Sequence, residues 1–422
     1  MIRYCLKFVI LMLITGISAC ASVHKFELVE TPNIYKQEAG GYLENVPKQL
    51  ATTIPEVFYV TDRQREENTK KESFYNSMRS DSMAFGEVRV QFGDSSWENL
   101  VQAAPSVSDS EPVVLDIKDV NEITRFPSTP LPFSIDNGII SYKPGVVADY
   151  EAATFSMQST LSQYMRGNHI EDVFLFVHGV NNSFEEVVLY LANIWHATGR
   201  LATPILYSWP AGTSGVFGYL KDRESGEFSV YHLKETIRIL ARTEAVKRIH
   251  IMAHSRGTDI TTTALRELVI ETRAAQKDPI EILKIENLIL AAPDLDFGIV
   301  KQRLIAEQFG PAFGQVTIYT NEEDGVLGLA QRFSSGLRFG RLTKDGLGGA
   351  VSEIFKQIKN VNFVHVDDVP TSYAHSYYRQ HPGVLSDIVS LIRDRHKPGE
   401  PSRPLVHEDI NFWSMPKNYP NH

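Results

Sequence analysis

The sequence predicts an α/β fold, a mostly parallel central sheet with helices on both faces, and three observations carry that expectation. Short β-branched apolar runs alternate with amphipathic stretches from about residue 172 onward. The strand and helix unit recurs through half the chain, which calls for right-handed crossovers and a covered parallel sheet. Finally, 422 residues with 43% hydrophobic and 22% charged side chains suffice for a sizeable core.

DVFLFV (172–177) reads as a buried strand. In the helix that follows it, Phe184, Val187, Val188, Leu191, Ile194 and Trp195 share one face. Ser183 with Glu186 three positions on forms a capping box at its start. PILYS (204–208) is the next strand, and 229–243 the next helix, with Val230, Leu233, Ile237 and Leu240 at helical spacing. KRIHIMA (247–253) is a strand running into a helix from 256, whose inner face is Ile260, Ala264, Leu265, Leu268 and Val269. The later pairs are strand 287–292 with helix 297–308, strand 315–320 with helix 350–358, and strand 360–366 with helix 382–394. EVFYVTD (56–62) and FGEVRVQF (85–92) suit an antiparallel edge of the same sheet. One domain over 51–395 is the simplest division, with 94–135, polar and proline-containing, read as an insertion. Residues 20–50 read as a tether and 396–422, rich in Pro with scattered aromatics, as an extended tail able to dock on the body.

A formal net charge of -9 with no long basic run argues against a nucleic-acid partner. Arg3 and Lys7 precede an apolar run from Phe8 to Ile17, the pattern of a secretory signal too short to span a bilayer comfortably. Ile17, Ser18, Ala19 and Cys20 resemble the bacterial lipoprotein box, so residues 1–19 read as a signal and Cys20 as the acylated residue that binds the membrane. Inner-membrane retention usually needs Asp at the following position. Ala21 stands there, and the periplasmic face of the outer membrane is the expected location. Cys5 and Cys20 are the chain's two cysteines, so a mature chain has no structural disulfide.

The segment AHSRG (253–257) departs from the G-x-S-x-G elbow by Ala at its first position. Between a predicted strand and a predicted helix, such a turn lifts its serine above the carboxyl edge of the sheet, and Ala is small enough to keep it. Ser255 is therefore the candidate nucleophile; the plain alternative is a serine that caps the helix. A serine needs a base and the base an acidic partner, in the chain order Ser, acid, His for this architecture. His375, in SYAHSYY after the last regular strand, fits the base better than His365 within the strand pattern or His381 beside Pro382. Asp324, in TNEEDGV, fits the acid, with Asp294 and Asp296 of AAPDLD as rivals. The backbone amides of Arg256 and Val180 are the candidate oxyanion donors, the latter in the loop HGVNNSF (178–184) with His178, Gly179 and Asn181. Trp209 and Tyr219, in a glycine-rich segment after a strand, are candidate pocket residues. HExxH, paired CxxC and P-loop motifs are absent and GLGG (346–349) reads as a loop, so neither metal nor other cofactor is expected.

Together, FVHGVNNSFEE, ILYSWPAG, GYLKDRES, IMAHSRG, LAAPDLD, NEEDGVL and HSYY resemble a bacterial α/β-hydrolase family once catalogued only as a domain of unknown function. The resemblance spans roughly 54–392 and includes the early VFYVTDR segment. It implies the α/β-hydrolase fold and a triad of Ser255, Asp324 and His375. Arg256 departs from the small or apolar residue more common after the serine, and its side chain could favour anionic substrates. The family fixes no substrate. The function expected is hydrolysis of a carboxylic ester, in a narrower version a lipid, through an acyl-enzyme. The alternatives are a thioesterase or amidase and a non-catalytic envelope scaffold on the same fold; the sequence names no protein partner.

Overall fold

The computed structural model describes residues 25–36, 43, 46–67, 73–94, 96–103, 112–334, 336–367 and 369–421. The signal segment, Cys20 and residues 21–24 lie outside the described residues.

Among the described residues a 12-stranded sheet runs in the order β1-β4-β3-β2-β8-β7-β9-β10-β11-β12-β14-β13. The strands are β1 (Phe26–Glu27), β2 (Glu56–Arg65), β3 (Tyr75–Phe92), β4 (Val114–Arg125), β7 (Asp172–Val177), β8 (Thr203–Ser208), β9 (Arg248–His254), β10 (Ile285–Ala291), β11 (Gln315–Thr320), β12 (Val361–Val366), β13 (Val406–Asp409) and β14 (Phe412–Met415). From β2 across to β14 neighbouring strands are parallel. The pairs β2/β3, β3/β4, β1/β4 and β13/β14 are antiparallel. A separate hairpin, β5 (Phe133–Asp136) with β6 (Ile139–Tyr142), pairs only with itself.

The central strands are apolar without alternation because both faces are covered. Along β7, Val173, Leu175 and Val177 join the core under helices α2 (Val146–Asn168), α4 (Gly215–Arg242) and α5 (Gly257–Ala274), while Phe174 and Phe176 join the opposite core. That opposite core lies under α3 (Phe184–Ala197), α8 (Tyr377–Gln380) and α9 (Pro382–Val389). Each such side chain contributes about 1.5–3 kcal/mol through burial. The Ser183 capping box forms as the sequence predicts, fixing the start of α3 directly after the 178–182 loop.

Several boundaries differ from the sequence expectation, each for a physical reason. The stretch 94–135 is not wholly an insertion: β4 within it pairs with β3 along its length, and helix α1 (Trp97–Ala103) precedes it. Residues 25–36 are packed rather than a free tether, since Leu28 N donates to Val113 O (2.8 Å) and Asn193 Nδ2 donates to Glu27 O (2.9 Å). The tail extends the sheet through β14 and β13. Helix α4 starts at Gly215, not at 229, because the turns before 229 bury Asp222 and Ser225, the start of a polar stripe continued by Ser229 and His232 that apolar periodicity cannot register. Over 297–308 the helix is short, Phe297–Ile299, and continues as wider turns to Ile305.

Candidate active site

Ser255 follows β9 and precedes α5, at φ +52°. That left-handed backbone is costly for a residue with a side chain and persists only when the surroundings hold it. Ser255 N donates to Ala291 O (3.0 Å), and its carbonyl accepts from Thr258 N (3.1 Å) and Thr258 Oγ1 (2.6 Å). Two glycines permit the close approach around it. A Cβ on Gly257 would lie 2.3 Å from His178 O, and one on Gly179 would lie 3.0 Å from Ser255 Cβ. Gly257→Ala is therefore expected to cost about 1–3 kcal/mol of stability by overpacking. Chemical denaturation checks this, and an unchanged midpoint would contradict the packing described.

His375 Nε2 lies 2.9 Å from Ser255 Oγ, and His375 Nδ1 lies 2.7 Å from Asp324 Oδ2. The Asp324 side chain is wholly buried, and its other oxygen accepts from the amides of Val326 and Leu327 (3.0 Å each) at the start of α6 (Gly325–Ser334). One carboxylate oxygen thus holds the carboxylate in place while the other faces the imidazole. The loop carrying His375 is fastened twice more. His254 Nε2 donates to His375 O (3.0 Å), and Tyr377 Oη donates to Tyr319 O (3.0 Å). Burial and the neighbouring His375 hold the His254 pKa well below its ordinary value. Its neutral ring stacks on Tyr378, with centroids 4.1 Å apart. His254 was not among the candidate residues; its place beside the serine in AHSRG is the signal that could have found it.

The family model described as alpha/beta hydrolase of unknown function (DUF900) matches residues 153–395, more than half of the chain. The chain belongs to that family. No curated protein matches it.

In this alpha/beta hydrolase, Arg63, before the matched span, and Asp222, within it, hold the loop beside Ser255. Asn181, at φ +54°, donates its amide to Asp222 Oδ2 (2.8 Å), which also accepts from Gly212 N (3.2 Å). Buried Arg63, from VFYVTDR, donates to Ser208 Oγ (2.8 Å), Ala211 O (2.7 Å) and Asn182 O (2.9 Å). Next to it, Asp62 faces Tyr207 Oη and His232 Nδ1, both at 3.1 Å. Neither the Val180 amide nor the Arg256 amide has a hydrogen-bond partner among the described residues.

Other candidates take different positions. Trp209 is fully buried and stacks on His178 (5.2 Å, 7°), while its Nε1 donates to His178 O (2.7 Å). Both rings therefore brace the loop from behind and are not exposed to a ligand; burial keeps His178 neutral. The Asn181 side chain is exposed, with its backbone committed to Asp222. Tyr219 Oη donates to Asp294 Oδ2 (2.7 Å), and burial with that carboxylate pushes the phenol up to about 12. Asp294 is thus engaged with Tyr219 and, at 3.3 Å, with Arg338 rather than with His375. Asp296 caps the turn at Phe297. The Arg256 guanidinium is buried and paired with Asp259 (2.6 Å). His365 pairs with Asp367, and His381 caps α9 through Val384 N. Among the described residues no group of three or more His, Cys, Asp or Glu could hold a metal ion, and no helix is long and apolar enough to cross a membrane.

Proposed function

We propose that the protein is a serine hydrolase that cleaves a carboxylic ester through an acyl-enzyme on Ser255. The observation that carries this reading is the unbroken chain from Ser255 Oγ to His375 Nε2 and from His375 Nδ1 to Asp324, on an elbow with φ +52°. Ser255 Oγ attacks the ester carbonyl carbon while His375 Nε2 takes its proton. Asp324 holds the tautomer with Nδ1–H and steadies the imidazolium. The amides of Val180 and Arg256 meet the oxyanion, His375 returns the proton to the departing alkoxide, and the acyl group stays on Ser255. Water then attacks the acyl carbon, giving its proton to His375, and the carboxylic acid leaves as Ser255 regains its proton.

Arg63 positions the oxyanion loop from behind. Arg63→Lys loses the planar fork, and a donor displaced by about 1 Å costs about a hundredfold in rate. The expected result is a kcat lowered by about that factor with KM little changed. Steady-state kinetics check it, and a rise in KM alone would assign Arg63 to substrate binding instead.

The reaction class is tested with esters of graded acyl length alongside matched thioesters and amides. Faster turnover of esters supports the reading, whereas hydrolysis of thioesters or amides alone overturns it. We also propose that Cys20 carries acyl chains that anchor the protein to the envelope, on the strength of the Ile17–Cys20 sequence. Metabolic labelling with a palmitate analogue, retained by wild type and lost in Cys20→Ala, checks this.

A further inference from the structure

A cleft of about 440 Å³ runs along one face of α3, where Glu186, Tyr190 and Asn193 fall at helical spacing, between the β1 segment and α8. Its volume is that of a small-molecule site. Ser255, Asp324 and His375 are not among its lining residues, yet both helices that border it are tied to the catalytic segments. On α8, Arg379 and Gln380 line the cleft, while Tyr378 stacks on His254 and Tyr377 Oη donates to Tyr319 O beside His375. On α3, Glu186 closes the capping box with Ser183, directly after the 178–182 loop.

What the cleft offers a ligand is mainly hydrogen-bond donors. The Arg379 guanidinium sits over the Tyr190 ring, 4.1 Å from its centroid, and pairs with no carboxylate among the described residues. Lys25, exposed on the opposite wall, also pairs with none among them. Ser376 Oγ donates to Gln380 Oε1 (3.2 Å), which leaves the Gln380 amide nitrogen to donate. The acceptors are largely engaged. Asn193 Oδ1 accepts from Val29 N (3.1 Å), and Glu186 Oε2 accepts from Ser183 N (2.7 Å). Phe26 packs its ring on Tyr190 (5.6 Å), so strand alternation turns the Glu27 side chain to the other face of β1. One oxygen of Glu186 is left to accept.

A guanidinium, an ammonium and an amide in one cleft suit a tetrahedral oxyanion, which has an oxygen for each and gains charge-assisted bonds from the two cations. A carboxylate has two oxygens in one plane, which the guanidinium fork alone can satisfy. The free Glu186 oxygen suits a hydroxyl carried by the same ligand. We propose that this cleft binds a phosphate ester bearing a neighbouring hydroxyl, with Arg379 as the principal phosphate contact and Lys25 and Gln380 beside it. Glycerol phosphate has that chemistry, free in solution or as a lipid headgroup. Binding here stands apart from the serine hydrolase reading.

The test is calorimetric titration of the full chain with glycerol 3-phosphate, with acetate and chloride at matched ionic strength as controls. A Ser255→Ala background keeps binding and hydrolysis separately visible. The expected result is saturable binding at a single site, weakened about tenfold or more in Arg379→Gln and less in Arg379→Lys, which keeps the charge but not the fork. Lys25→Gln on the opposite wall should weaken it as well, and the ligand-free melting profiles of the variants should match the parent. Vesicles distinguish the two sources, using Cys20→Ala so that no acyl chain retains the protein. Cosedimentation with phosphatidylglycerol vesicles, reversed by glycerol 3-phosphate and absent in Arg379→Gln, supports the site with a lipid headgroup as its ligand. Saturable binding of the soluble ester without cosedimentation supports it with a free phosphate ester. No saturable binding to either probe overturns the proposal. So does acetate binding as tightly as the phosphate ester, or an affinity that Arg379→Gln and Lys25→Gln leave unchanged.

Discussion

Ester turnover is expected to fall by about 10⁶-fold in Ser255→Ala and by a similar factor in His375→Ala, because the pair acts as one unit. The double variant should be no worse than either single one. Without the hydroxyl no acyl-enzyme forms, and without the imidazole at 2.9 Å the serine keeps its proton. Asp324→Asn should cost less, about 10⁴-fold, since the residue holds the tautomer but takes no proton from substrate. The three rates and the double variant, measured on one ester, check the hierarchy. Turnover in Ser255→Ala within tenfold of wild type would remove the serine from the mechanism.

The second large effect is on folding, and it concerns the tail. Arg403, fully buried, donates Nε and Nη2 to the two oxygens of Asp387 on α9, both at 2.8 Å. Tyr319 Oη and Tyr419 Oη complete the carboxylate's shell at 2.7 Å each. Arg403→Met is expected to cost about 3–5 kcal/mol, because it strands a buried charge rather than merely removing a contact. Asp387→Asn combined with Arg403→Met should recover part of that loss. The Arg403 guanidinium and the hydroxyls outweigh burial and hold Asp387 below its ordinary 3.8. Its folded pKa is the lower one, so the stabilisation is complete above the unfolded value and disappears as pH falls through the folded value. Urea unfolding of wild type and both variants, at neutral and acid pH, measures this. Arg403→Met with a neutral-pH midpoint equal to wild type would show the tail to be dispensable. Because Tyr319 also receives Tyr377, the tail's network reaches the loop that carries His375.

What the sequence makes legible is local. DVFLFV announces a strand covered on both faces, the Ser183 and Glu186 spacing announces a helix start, and AHSRG between strand and helix announces the elbow; each depends on residues within a few positions. His375 and Asp324 follow from chain order, which a doubly covered parallel sheet turns into spatial proximity. What is hidden depends on distant partners. Arg63 meets Asn182 and Ser208 more than a hundred positions away, so the TDR segment reads only as the end of a strand. The first half of α4 presents polar residues inward, and apolar periodicity has nothing to register there. Trp209 looks like pocket lining because aromatic residues near glycine suit a ligand, yet packing on His178 occupies its ring. The tail strands are short, and only the parallel pairing of β14 with β12 and the antiparallel pairing of β13 with β14 make them part of the sheet.

The most direct test of the central claim is covalent labelling of the folded chain by a fluorophosphonate, read by intact mass and by the peptide that carries the adduct. The account predicts one adduct, on the peptide containing Ser255, absent in Ser255→Ala and strongly slowed in His375→Ala. A folded wild-type chain that takes no label, or an adduct that persists in Ser255→Ala, would contradict it.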